Sequence, residues 1–408
     1  MRVAFLTHEP FYPPSGGGSA EAVYLVQELV RRGHEVHLFC PRVDAPELVR
    51  RQFGVRLHQF KTWAMGRYTT LRTCKYLLYP LFLQRLVEAG ARATRFDLVL
   101  SQHAIAAVTA GRLRGRLRVP VVMNFLDYLT GFMETWPGYL APRPLITAVE
   151  RFELSLPLRY RADAVLTVSD TLADYFAGAG YPRSRLLPIY YGYDADLFPL
   201  REPGRVAEVS GQPVVVMHGS FDHHHLGPIA AQGLAYVYER KPGTLFRFVG
   251  RQTPSLTRFA AMMQKGLPGL KLECAGFVPY REIAARLADA SVGIVPYEES
   301  TGTHCAFVAK IVEYLGLGLP VVSTPLNSAR RYFAHEPLVR FADFDGTSFG
   351  AQVVRWLDEP LDQRHALARA ASARVRTELD WRAISRKAID FVEDTQRNWR
   401  PADGEAGL

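Results

Sequence analysis

A chain of 408 residues is long enough for two domains of ordinary size. With 48% apolar and 22% charged residues it can fill two cores, which excludes disorder, collagen-like repeats and a disulfide-stapled miniprotein. Its 49 Lys and Arg against 40 Asp and Glu leave a net charge of +9, and residues 1–200 hold +7 of it; this points either to an anionic partner or to a plain basic surface.

RVAFLTH (2–8) reads as a buried strand, followed by a Pro- and Gly-rich loop and a helix over 21–33 that Gly33 stops. Further strands are predicted at 35–41, 55–60, 97–102, 120–125 and 164–169, with helices at about 72–93, 104–115, 144–160 and 170–178. The pattern then restarts. Strands are predicted at 213–219, 245–250, 270–277, 291–297, 320–325 and 338–342, with helices between them and a helical tail over about 361–398. Strands separated by helices of this length imply right-handed crossovers and parallel sheets. The expected fold class is therefore α/β, with two doubly wound Rossmann-like domains facing across a cleft. The first spans 1–198, the Pro- and charge-rich stretch 199–212 links them, the second spans 213–380, and a C-terminal helix within 381–408 packs back on the first.

No run reaches the roughly 18 apolar residues of a membrane-spanning helix. MRVAFLTHEPFYPP lacks the apolar core of a signal peptide. The expected location is cytoplasmic, with membrane association compatible. Cys40, Cys74, Cys274 and Cys305 form no C-x-x-C pair, so a zinc ribbon and a thioredoxin-type motif are excluded.

Chemistry concentrates at a few places. The loop Ser15-Gly16-Gly17-Gly18-Ser19 precedes a helix, where free backbone N–H groups suit a phosphate, or it is a plain turn. It is not G-x-G-x-x-G, so the dinucleotide fingerprint is absent. Lys310 and Glu313 stand one turn apart on a helix before a glycine-rich stop and a buried strand. That carboxylate suits the vicinal hydroxyls of a ribose; the alternative is a surface ion pair. His8 and His103 sit at strand ends, where a hydrogen-bonding role toward a ligand or a structural role is open. Asp127 follows a strand and is either a functional carboxylate or a helix N-cap. The run Asp222-His223-His224-His225 invites a metal reading, but adjacent residues converge poorly on one ion, so that reading is the weaker one. Residues 61–85 mix aromatics with Arg and Lys, as an element on anionic lipid or a helix packed in the domain would. Tyr128 to Trp136 forms either an acceptor wall or an ordinary loop.

Taken in order, these segments resemble GT-B glycosyltransferases of the GT4-like (glycosyl transferases group 1) family over nearly the whole chain. The resemblance rests on the opening strand, Gly-Gly loop and helix ending in Arg-Arg-Gly-His-Glu-Val (31–36). It rests equally on Ala162-Asp163-Ala164-Val165 with Thr167-Val168-Ser169, Tyr191-Gly192-Tyr193-Asp194 through Phe198, Gly276-Phe277-Val278, and Lys310 to Thr324. It implies a glycosyltransferase that takes a nucleotide-sugar donor. Glu313 would hold the ribose, main chain near Phe277 and Val278 the base, and Gly17 and Gly18 would close over the diphosphate, with no metal and no other cofactor. Gly219, Ser220, Arg251 and Lys310 complete the donor set. Asp127 and His103 are the catalytic candidates, and His8, Tyr128 and Trp136 the acceptor contacts. Transfer with retention is expected, to a sugar, lipid-linked or small-molecule acceptor. An anionic membrane surface is a compatible partner; nucleic acid is not expected.

The sequence also departs from the family pattern. Cys305 stands eight residues before Glu313 where the family has a second glutamate, and the loop after the first strand of the second domain, His218 to His225, lacks the usual Arg and Lys. His218, Arg251 and Lys310 are the substitute cations. These gaps favour a second reading, a catalytically silent GT-B scaffold; a third, a nucleotide-sugar epimerase of the same fold, would need further acid/base carboxylates.

Overall fold

The computed structural model describes residues 1–9, 11–13, 17–61, 74–136, 138, 141–201 and 211–401. Ser15 and Gly16, residues 62–73 of the aromatic and basic segment 61–85, the linker core 202–210 and the terminal 402–408 lie outside the described residues.

In chain order the first elements are β1 (Arg2–Thr7), α1 (Gly17–Arg31), β2 (Glu35–Pro41), α2 (Pro46–Phe53), β3 (Arg56–Phe60), α3 (Cys74–Ala93), β4 (Leu98–Gln102) and α4 (His103–Leu117). Then come β5 (Val121–Phe125), α5 (Leu129–Phe132), α6 (Arg143–Arg159), β6 (Ala164–Thr167), α7 (Asp170–Gly178) and β7 (Leu186–Pro188). The second series is β8 (Val214–His218), α8 (Pro228–Arg240), β9 (Leu245–Val249), α9 (Pro254–Gly266), β10 (Lys271–Gly276), α10 (Ile283–Leu287), β11 (Val292–Val295) and α11 (Thr301–Cys305). It continues with α12 (Ala309–Leu317), β12 (Val321–Ser323), α13 (Asn327–Phe333), β13 (Val339–Phe341), α14 (Gly346–Asp358), α15 (Leu361–Glu378) and α16 (Trp381–Asn398).

The strands form two sheets, ordered β3-β2-β1-β4-β5-β6-β7 and β10-β9-β8-β11-β12-β13, with every pairing parallel. Each order reverses once, between β1 and β4 and between β8 and β11. In doubly wound sheets ligands bind beyond the strand ends at such a reversal. Central strands such as β4, β5 and β8 are buried at every residue, as sheets covered on both faces require.

Parallel strands have no hairpin to set their register, and here three short side chains do it. Asp97 accepts from the Arg2 N–H at 2.7 Å while its own N–H donates to the Arg2 carbonyl at 2.9 Å. Asp163 makes the same two bonds with Val121, at 2.8 and 2.9 Å, and Ser291 makes them with Val214, at 3.0 and 2.7 Å. Each locks the start of one strand to the start of its neighbour. Asp163 also pairs with Arg114 at 3.3 Å, and Ser169 caps α7 by accepting from the Leu172 N–H. The family-like stretch Ala162 to Ser169 is thus a structural clamp at both ends.

The chain divides into two compact units. One holds 1–130, 144–190 and 381–408; the other holds 131–143 and 191–380. Within the first unit α16 packs on α1: Trp381 stacks on Tyr24 at 5.2 Å, and Arg32 pairs with Asp390 and Glu393 at 2.7 and 2.9 Å. Residues 131–143, which the sequence groups with the first domain, belong to the second unit. There the Glu134 carboxylate accepts from the Thr301 N–H at 2.8 Å, and Phe132 lies 4.9 Å from the His224 ring.

Asp163→Ala should cost about 1–3 kcal/mol, because it leaves the Val121 N–H and the Arg114 guanidinium without that carboxylate. Denaturant melts measure this, and an unchanged midpoint would remove the clamp from the account of the fold.

Candidate active site

The second unit gathers its chemistry at the β8/β11 reversal. His218 ends β8, and its Nε2 lies 2.6 Å from Glu313 Oε2. The Tyr280 hydroxyl donates to Glu313 Oε1 at 2.8 Å. The Tyr280 ring rests on Phe198 at 5.4 Å, so the family-like stretch Tyr191 to Phe198 supports the site from below. Glu313 is 3% exposed and both of its oxygens are engaged by groups that can share or yield to incoming hydroxyls.

Lys310, one turn earlier on α12, is buried and donates from Nζ to the Tyr297 hydroxyl at 2.8 Å; its Nζ is 5.3 Å from the centre of that ring. Among the described residues it forms no ion pair. A buried ammonium with only neutral partners is a strong anion site, because desolvation is offset most fully by an opposite charge. Gly219 makes room for it. With φ 104° this position is in the left-handed region, and a Cβ there would stand 3.2 Å from Lys310 Cε. The Gly219 N–H already donates to Val249, so the residue supplies space and not a hydrogen bond. Gly250 holds the neighbouring turn close: a Cβ on it would lie 2.1 Å from the Gly219 carbonyl oxygen.

The His224 and His225 rings lie 3.8 Å apart, tilted by 40°, and His225 meets the Tyr297 ring edge-on at 4.6 Å. Burial, reinforced by Lys310, pushes the His224 imidazole down to about 3, and burial with His224 and Lys310 drives His225 down as well. Both are neutral lining. Among the described residues no group of three or more His, Cys, Asp or Glu is placed to hold a metal ion. Arg251 stacks over the exposed Phe277 ring at 5.0 Å, beside buried Val278. Ser220 is half-buried in the turn after β8. The N-terminus of α8 is taken by Glu298, whose carboxylate accepts from the Ile229 N–H at 2.9 Å. The N-cap of α12, Val308, brings no side-chain acceptor.

The first unit places His8, Glu9 and His103 together beyond β1 and β4. The two histidine rings meet edge-on at 5.0 Å, and Glu9 is 3.9 Å from His103. His103 opens α4 at φ 66°, a strained setting for a residue with a side chain. Asn124, the next-to-last residue of β5, donates to Glu21 of α1 at 2.5 Å. Glu21 is fully buried. Burial, opposed by the Asn124 bond and reinforced by Asp127, pushes its carboxyl up to about 8. Sequence reasoning missed Glu21, Asn124, Tyr280 and Tyr297. The one available signal for Glu21 was a lone acid opening the apolar stretch Glu21-Ala-Val-Tyr-Leu-Val26. Gly17 and Gly18 are the first two residues of α1. Tyr128 is 1% exposed and its hydroxyl donates to Glu150, so it packs the fold and offers no exposed wall. Trp136 is 37% exposed and lies in the second unit.

Two doubly wound parallel sheets, of seven and six strands, are the architecture of a GT-B glycosyltransferase. Residues 15–197 match the family model Glycosyltransferase Family 4, and residues 212–359 match Glycosyl transferases group 1. The chain belongs to this GT4-like glycosyltransferase family and is a sugar transferase. Among solved structures it is similar to sucrose-phosphate synthase from Thermosynechococcus elongatus, at 16% identity and TM-score 0.77 over 96% of this chain and 98% of that one. It is similar to Anabaena HepE in complex with UDP-glucose, at 17% identity and TM-score 0.71 over 97% and 100%. It is also similar to WaaG, a glycosyltransferase involved in lipopolysaccharide biosynthesis, at 19% identity and TM-score 0.67 over 96% and 99%. A search of curated protein sequences finds no match.

A carboxyl raised on folding contributes stability that is full below about 4.5 and is lost as pH climbs through about 8. Glu21→Gln keeps the shape and removes the titration. Its melting temperature should therefore fall less than that of the wild type between pH 5 and pH 8.5; parallel profiles would contradict the buried neutral acid.

Proposed function

We propose that the second unit binds a nucleotide-sugar donor and that the sugar passes to a sugar, lipid-linked or small-molecule acceptor engaged by the first unit, without a metal ion and with retention. The observation that carries this reading is Lys310, a buried cation with neutral partners, one turn from Glu313 at the sheet reversal. The ribose hydroxyls would take over the Glu313 oxygens now held by His218 and Tyr280. The diphosphate would meet Lys310 and the first turn of α12, where it gains a charge-assisted bond and the positive end of the helix. The base would lie near Phe277 and Val278, with Arg251 above the ring. The structural likeness to a protein solved with UDP-glucose supports a donor of this chemical class.

Without a metal, the charge that develops on the leaving diphosphate falls to Lys310 and to backbone donors, fixed before the reaction begins. In retention the departing phosphate oxygen can take the acceptor proton. Asp127 and His103 then orient the acceptor hydroxyl, with His8 beside them. The Glu21–Asn124 pair holds the end of β5 from which Asp127 follows.

Thermal shift and calorimetry with UDP-, GDP-, ADP-, TDP- and CMP-sugars test the reading. One nucleotide class should stabilise the protein, by about 2.7 kcal/mol at a hundredfold excess over the dissociation constant. Glu313→Ala should weaken donor and nucleoside alike by tenfold or more, from loss of hydrogen bonds to a charged group worth about 1.5–3 kcal/mol. Lys310→Met should weaken the diphosphate-containing ligands by a similar factor and leave nucleoside binding nearly unchanged. Donor affinity unaltered in both variants would overturn the assignment.

A further inference from the structure

Among the described residues, the net positive excess of the N-terminal half falls on one helical layer. From β1 the chain steps to β2 and β3 in one direction, then from β3 back across to β4, β5 and β6 in the other. Right-handed crossovers therefore put α1 and α2 on one face of the sheet and α3, α4 and α6 on the other. Contacts agree: Thr109 of α4 donates to the Pro80 carbonyl of α3 at 3.0 Å, and Tyr160, just after α6, packs on Gly111 of α4. Helices α3, α4 and α6 carry nine Lys or Arg against three Glu, whereas α1, α2 and α16 carry seven against six. The two aspartates of α7, also on the basic face, are paired with Arg183.

The three glutamates of that layer are occupied. Glu153 is buried and accepts from the Leu129 and Thr130 N–H groups, Glu150 accepts from Tyr128, and Glu88 pairs with Arg116. Helix α6 is consequently arranged against the usual rule. Its carboxylates turn inward, and its outward face shows apolar side chains and arginine. Two seven-residue rows run along that face, Leu145-Phe152-Arg159 and Arg151-Leu158, and all five residues are exposed. Leu145 is 45% exposed, Phe152 42% and Leu158 42%, and Arg159 lies 5.7 Å over the Phe152 ring. Leu81 of α3 is 44% exposed, so four of the nine large apolar side chains exposed among the described residues belong to two helices of this one layer.

We infer that the outward face of α6, extended by the basic ends of α3 and α4, lies on an anionic phospholipid surface. Leucine and phenylalanine enter the boundary between headgroups and acyl chains, and the arginines meet lipid phosphates while their stems stay in apolar contact. Charge complementarity selects the occupant, since the exposed ionised groups on α6 are arginines. The interleaved apolar rows select lipid over nucleic acid, which would meet arginine and polar side chains alone. This surface takes Leu81 from the 61–85 stretch but is centred on α6.

The test is co-sedimentation of the full chain with extruded vesicles of phosphatidylcholine, with and without about 30% phosphatidylglycerol, at low and high salt. Binding should need the anionic lipid and weaken as salt rises. Phe152→Asp with Leu158→Asp, and separately Arg151→Glu with Arg159→Glu, should each lower the bound fraction at least fivefold while the melting temperature stays within a few degrees. Leu48→Asp, on exposed α2 of the opposite face, should bind as the wild type does. No binding of the wild type, equal loss in the Leu48 control, or full binding by either double variant overturns the inference. So does binding to heparin or an oligonucleotide but not to vesicles. Vesicle binding requires no nucleotide sugar, so this result and the donor-binding result fail independently.

Discussion

A lysine buried beside a hydroxyl and an aromatic ring, with no carboxylate paired to it among the described residues, is the constraint around which the second unit is organised. Removing an ammonium from water is costly, and Tyr297 offsets only part of that cost. The surroundings keep the position open to an anion. Gly219 leaves a gap where any Cβ would press on the lysine, and Gly250 holds that turn close to its neighbour. His224 and His225 stay neutral, so they add no competing positive charge and no counter-ion. Glu313 is a turn away but is held by His218 and Tyr280, which keeps the carboxylate from collapsing onto the lysine. The separation of one anion-seeking and one hydroxyl-seeking group along a single helix is what a nucleoside diphosphate would need.

Much of this was legible in the sequence, and the reason is local. The alternation of apolar runs with helical periods depends on residues a few positions apart, so the two parallel sheets could be read directly. Lys310 and Glu313 were legible together because three residues along a helix is one face. Tyr280, Tyr297 and His218 approach that pair from three other elements, and no spacing in the chain encodes their meeting. Glu21 and Asn124 are 103 residues apart, and only the packing of α1 over β5 joins them. Tyr128 is the complementary case: the sequence leaves it an acceptor wall or an ordinary loop, and only the fold supplies Glu150 and buries the ring.

The same limits apply to charge. A net excess over residues 1–200 is a sequence property, but its placement on α3, α4 and α6 follows from strand order and crossover handedness. Likewise the Asp and Ser clamps look like ordinary motif residues in the sequence. In the structure they take the place of the hairpins that parallel strands lack.

The position of α16 has a consequence for how the protein is made. Its Trp381 covers Tyr24 on α1, and its acids hold Arg32, yet it follows the entire second unit in the chain. On a ribosome, where synthesis runs from the N-terminus, the second unit can finish before the first has its last helix. During that interval the Tyr24 side of α1 lacks its cover. Completion of the earlier unit therefore waits on synthesis of the second, and a nascent chain stalled after residue 380 would carry one finished lobe and one unsealed lobe.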